Sequence, residues 1–188
     1  DHLILATNAP SAHRLLQKLA NTTEQHSFLL PIKQLRYNPI ATLYLEPVSA
    51  WSTPFPLLML AEQASSLEVG QWVFNHAAIS NSQLKHTIAV TISCAQNLIG
   101  VDKKTIIDTI IKQINAQSRW PLPSITHSEL IIEKRATFAA LPKLRRPTHQ
   151  TPWSCIHLAG DWIKSPYPAV LEAAVQSGLE AVEKIKAH

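Results

Sequence analysis

A carboxylate, Asp161, sits where the chain turns from a strand-like run into a helix-like one, in the stretch Cys155-Ile156-His157-Leu158-Ala159-Gly160-Asp161-Trp162. At such a junction a carboxylate can accept a hydrogen bond from a sugar-like hydroxyl, and it can equally be an ordinary turn or cap residue. Gly160, just before it, lets another group approach the backbone. Other chemistries find less to work with. The nine histidines show no H-x-x-x-H or Cys/His ligand spacing, and Cys94 and Cys155 make no metal pair, so no metal centre is expected. Ser82-Gln83-Leu84-Lys85 spells S-x-x-K without the partner motifs of a serine acylase, and G-x-S-x-G is absent. The four glycines, Gly70, Gly100, Gly160 and Gly178, stand apart, which excludes both G-x-G-x-x-G and the phosphate loop G-x-x-x-x-G-K-[ST].

The elements that must position Asp161 are short to describe. Ile156 and Leu158 alternate with polar or small neighbours as a buried strand does. Past Pro166-Tyr167-Pro168, a helix is expected from about Ala169 to Lys186, with Pro168 suited to its first position. Leu171, Ala174, Val175, Gly178, Leu179, Val182 and Ile185 form its expected apolar face, and Glu172, Gln176, Glu180 and Glu183 the opposite one. Small residues at Ala173, Ala174, Ser177, Gly178 and Ala181 would let it lie close to a sheet. Its N-terminal amides then offer a place for an anion or a polar cofactor edge.

Leu158-Ala159-Gly160-Asp161-Trp162, followed by Pro168-Ala169, Glu172, Ala174-Val175 and Ser177-Gly178, resembles the C-terminal flavin motif of the FAD-dependent amine oxidase and phytoene desaturase superfamily. With Glu133-Lys134-Arg135-Ala136-Thr137-Phe138-Ala139, the Gly-Asp-Trp version resembles the squalene-associated FAD-dependent desaturases, whose activity is assigned as hydroxysqualene dehydroxylase. The resemblance implies FAD as cofactor, with Asp161 on its ribityl–phosphate part, Gly160 clear of it and Trp162 beside it. It also implies that the Pro168, Ala169 and Val170 amides face the pyrimidine edge of the isoalloxazine, where charge builds up on reduction. Ile163, Pro166 and Val170 depart from the Thr, Gly and Thr usual in that family.

The implied activity is reductive removal of the hydroxyl of hydroxysqualene, giving squalene for hopanoid synthesis. Alternatives are a carotenoid or phytoene desaturase, an amine oxidase, or a noncatalytic α/β interaction module. The resemblance names no catalytic residue. Trp72 and Phe74 fall on one side of a strand, a wall suited to an isoprenoid or equally to a core.

With 188 residues, 46% of them hydrophobic and 16% charged, the composition is that of a globular chain with enough length for one good core or two small ones. The net charge of +4 is modest. Lys134, Arg135, Lys143, Arg145 and Arg146 cluster without interleaved aromatics, which reads as a solvated surface rather than a nucleic-acid site. Peripheral contact with anionic lipid is compatible with them. The scarcity of cysteine fits a reducing, cytoplasmic compartment. No apolar run approaches the roughly 20 residues that span a bilayer.

In chain order, Asp1-His2-Leu3-Ile4-Leu5-Ala6-Thr7 resembles the return strand of the superfamily's FAD domain, with a helix after Pro10 carrying Ala12, Leu15, Leu16 and Leu19 on one face. The chain opens in mid-strand, so it is expected to be the C-terminal part of a longer protein, inactive by itself and needing a missing N-terminal FAD-binding half. Asn21-Thr22-Thr23 reads as a loop and Pro31 to Arg36 as a short helix. Strands are expected at Ile40 to Glu46, Leu57 to Leu60, Gln71 to Asn75, His86 to Ser93 and Ser128 to Phe138. Asp102 caps a helix with an Ile106, Ile107, Ile110, Ile111 and Ile114 stripe.

The expected fold is α/β: a substrate-binding domain over 21–150 with a mixed, largely antiparallel sheet and covering helices, and pieces of an FAD-binding domain at 1–20 and 151–188.

Overall fold

In the computed structural model, which describes residues 1–79, 86–167 and 169–186, the opening run forms β1 (Leu3–Leu5) and the Asp161 segment forms β7 (Ile156–Leu158). The two pair in parallel, Leu3 with Ile156, Ile4 with His157 and Leu5 with Leu158. The S-x-x-K run lies outside the described residues.

The chain divides into a terminal unit, Asp1–Tyr37 with Thr137–His188, and a central unit, Asn38–Ala136. The boundaries fall at 37/38 and 136/137, where the sequence suggested 20/21 and 150/151. The difference has a physical cause: Phe28, Leu29, Ile32 and Leu144 belong to the terminal core.

In the terminal unit, α1 (Ala9–Gln17) starts at Asn8, whose side chain accepts a bond from Ser11 N at 3.0 Å. It buries Ala9, Ala12 and Leu16 but leaves Leu15 and Leu19 exposed. Next comes α2 (Thr23–Lys33), where a loop and a short helix from Pro31 were expected. Its start is a capping box. The Thr22 hydroxyl accepts from Gln25 N at 3.2 Å, while Gln25 Oε1 accepts from Thr22 N at 3.2 Å. Pro31 falls in the last turn, where its missing N–H costs little more than one helical bond.

The central unit is a five-stranded sheet, formed by β2 (Tyr37–Pro47), β3 (Leu57–Met59), β4 (Trp72–Asn75), β5 (Ile88–Ser93) and β6 (Ile125–Phe138). The order is β3-β4-β5-β2-β6, with β3/β4, β4/β5 and β5/β2 antiparallel. Alternation sends Ala41, Leu43, Leu45, Val73, Ile88, Val90 and Ile92 to one side. There α3 (Lys103–Gln117), capped by Asp102, lays Ile106, Ile110 and Ile114 on them, all fully buried. Gln113, also buried, closes this layer: its Oε1 accepts from Gly70 N at 2.9 Å and its Nε2 donates to Ala61 O at 2.8 Å. On edge strand β6, Glu133, Lys134 and Arg135 are all exposed, as a solvated run should be.

Candidate functional site

In the terminal unit, Gly160 and Asp161 follow the C-terminal end of the parallel β1–β7 pair and lead towards α4 (Leu171–Lys186). In parallel α/β sheets this end of the strands is where ligands bind. The small face of α4 is what allows the approach. Ala173, Ser177 and Ala181 are its buried residues, and the Ser177 hydroxyl accepts from Gly160 N at 2.8 Å while lying within reach of Gly160 O at 3.1 Å and Ala174 O at 2.8 Å.

This corrects the expected apolar face: Leu171, Val175, Leu179 and Val182 are exposed, Leu171 to 88%. The helix begins two residues later than Ala169, which has φ 54°, and Pro168 lies outside the described residues. Val170 is exposed and accepts from Ala174 N at 3.3 Å.

Gly160 is required here for a reason internal to the protein. At φ 151° it adopts a conformation L residues avoid, and a Cβ would lie 2.6 Å from Nε1 of Trp162. Trp162 is buried to 3% exposure, and its Nε1 donates to Thr7 O at 3.0 Å. The indole therefore ties the turn after β1 to the turn after β7, so its side chain is spent on packing. Ile163 is buried beside it in the same core.

Asp161 differs from its neighbours. It is partly exposed, and among the described residues its carboxylate has no hydrogen-bond partner. A partly open carboxylate at the strand ends, on a loop held from both sides, fits a hydroxyl-bearing cofactor edge. In sequence Ser177 shows only its small size and Arg146 only a basic cluster. Ser177 bonds the Gly160 peptide and Arg146 donates to the Ile163 and Ser165 carbonyls, and neither role has a local pattern because the partners are backbone atoms of a distant loop.

In the central unit, Trp72 and Phe74 face away from the core. Register places Met59, Trp72, Thr91 and Thr42 in one row and Leu57, Phe74, Ala89 and Tyr44 in the next. Met59 is 74% exposed, and Leu57, Trp72 and Tyr44 are exposed as well. The outer face of the sheet is thus a largely apolar wall without a covering layer among the described residues. No group of three or more potential metal ligands occurs among them, and both cysteines are free thiols.

This combination of a βα turn and a half-covered antiparallel sheet is a fold shared with solved oxidoreductases. An oxidoreductase from Methanosarcina mazei matches 97% of this chain and 43% of its own with a TM-score of 0.67 at 12% identity. Cyclohexylamine oxidase from Brevibacterium oxydans matches 98% of this chain and 42% of its own with a TM-score of 0.65 at 12% identity. The chain belongs to the flavin containing amine oxidoreductase family, whose model matches residues 1–186. FAD is the cofactor of this membership.

Among curated relatives, the hydroxysqualene dehydroxylase of Zymomonas mobilis is 30% identical over 119 residues, covering 62% of this chain and 27% of the relative. That of Rhodopseudomonas palustris is 31% identical over 102 residues, covering 53% and 24%. The aligned part thus spans about a quarter of the length of these relatives.

Proposed function

We propose that this chain is the C-terminal part of an FAD-dependent oxidoreductase that removes the hydroxyl group of hydroxysqualene. The observation that carries the reading is the shared naming of three curated relatives as hydroxysqualene dehydroxylase, at 29–31% identity. The open apolar wall of Leu57, Met59, Trp72, Phe74 and Tyr44 supports it, since a long isoprenoid presents hydrocarbon and little else. The reaction replaces a C–OH bond by C–H, taking up two electrons and two protons and releasing water. Bound reduced FAD supplies the electrons; the chain's own part is to orient the cofactor and exclude water from the substrate.

In this reading Asp161 accepts hydrogen bonds from the ribityl–phosphate region of FAD, and the backbone from Ala169 onward faces the flavin ring. The exposed stripe of Leu171, Val175, Leu179 and Val182 is the seat of the nucleotide-binding half of the same FAD domain. We assign the product to hopanoid synthesis and the protein to the cytoplasm, in peripheral contact with the membrane that holds its substrate. Cell fractionation tests the location.

The central test is a visible absorption spectrum of the protein expressed with its native upstream sequence, followed by anaerobic turnover of hydroxysqualene with reduced flavin. A yellow protein that yields squalene supports the reading. A colourless protein even with added FAD would leave a noncatalytic α/β module, and a yellow one that desaturates phytoene or oxidises an amine instead would reassign the substrate. Asp161→Ala in that protein should lower flavin retention; unchanged content would make Asp161 a turn residue only.

A further inference from the structure

Arg146 looks, in sequence, like one more member of a solvated basic run, yet its side chain is half-buried and engaged. Nη1 donates to Ile163 O at 2.8 Å, and Nη2 donates to Ser165 O. The guanidinium lies over the Phe138 ring, 5.3 Å from its centroid. The backbone laces back the other way, with Lys164 N donating to Pro147 O at 2.8 Å. A planar guanidinium can serve two carbonyls two residues apart; an ammonium concentrates its donors at one point.

The loop this clamp holds is the one that carries Asp161. Gly160 is pinned by Ser177, Trp162 by Thr7 O, and Ile163 and Ser165 by Arg146. Asp161 stands between these anchors with no hydrogen bond to its carboxylate among the described residues, so the backbone beneath it is fixed while its side chain stays available. Such preorganisation lowers the ordering cost of binding. Burial lowers the Arg146 pKa and the nearby Asp161 charge opposes that shift, so the two side chains also attract one another.

We propose that Arg146 is a positioning residue for the cofactor: by holding the carbonyls of Ile163 and Ser165 it fixes the loop from which Asp161 meets FAD. The inference rests on the flavin reading above. Its test uses the protein with its native upstream sequence, in wild-type form and as Arg146→Lys, Arg146→Ala and, as a charge control, Arg145→Gln. FAD affinity is measured by quenching of flavin fluorescence, and backbone opening by deuterium uptake over 160–166 in the flavin-free protein.

Arg146→Lys should weaken FAD binding on the order of tenfold or more, as a misplaced contact group does, and speed deuterium uptake over the loop. Arg145→Gln should do neither. Added guanidinium, but not ethylammonium, should restore affinity to Arg146→Ala. The proposal is overturned if Arg146→Lys keeps wild-type affinity and exchange, or if Arg145→Gln weakens binding as much as Arg146→Lys, since long-range charge would then explain the effect. If wild-type protein binds no FAD, the flavin reading fails, and the exchange data still decide whether Arg146 clamps the loop.

Discussion

Gly160→Ala separates two reasons for a glycine in the Gly-Asp-Trp turn. If the residue only leaves room for a cofactor, the flavin-free protein should tolerate a methyl group there. The structure assigns the close contact instead to Trp162, with Nε1 at 2.6 Å and Cδ1 at 2.9 Å from the added carbon. Two costs follow. Holding alanine at φ 151° strains the backbone by about 1–3 kcal/mol. Moving the buried indole aside breaks its bond to Thr7 O and strands a buried donor, at about 1–3 kcal/mol.

The expected loss is therefore about 2–6 kcal/mol, a large part of the roughly 5–15 kcal/mol that holds a domain together. The assay is urea unfolding of the flavin-free chain by far-ultraviolet circular dichroism. Gly178→Ala is the control, because nothing lies within 4 Å of its added carbon and it sits inside α4; it should stabilise by about 0.5–1 kcal/mol. Gly160→Ala within about 0.5 kcal/mol of wild type would refute the packing argument. A loss seen only in flavin binding would return the residue to the cofactor.

Three further outcomes follow from particular contacts. Gln113→Leu leaves the buried Gly70 N–H and carbonyl without the Gln113 amide and should cost about 2–4 kcal/mol in the same unfolding assay. Thr22→Ala removes the capping box of α2 and should cost about 1 kcal/mol, read as a lower urea midpoint. Burial first, and then the positive charge of Lys33, hold the His13 pKa below its ordinary 6.5. The unfolded chain therefore takes up this proton first, so the His13 contribution lowers stability as pH falls through 6.5 until the folded pKa is passed. His13→Gln should lose less stability than wild type between about pH 7.5 and about pH 5, as thermal melts at each pH will show; parallel curves would remove His13 as the cause.

Much of the architecture is legible in short patterns, because local alternation and capping act over a few residues. Ile88, Val90 and Ile92 alternate and are buried, the isoleucine stripe after Asp102 covers the sheet, and the strand at Ile156 to Leu158 stops before Gly160. The missed start of α2 was also local: Thr22-Thr23-Glu24-Gln25 is a capping-box sequence.

Other features depend on partners no local pattern reveals. Periodicity marks the apolar side of α4, yet the side that docks is Ala173, Ser177 and Ala181, since only small side chains let the helix backbone reach the Gly160 peptide. Alternation puts Trp72 and Phe74 on one face without saying that it is the open one; that depends on which face α3 covers. By itself the sequence determined the strands and most helices, carried by residue type and short spacing, and its resemblance pointed to the family. Tertiary structure alone decided the β1–β7 pairing across some 150 positions, the clash that makes Gly160 obligatory and the capture of Arg146 by two carbonyls, because each arises from atoms that only folding brings within a few ångströms.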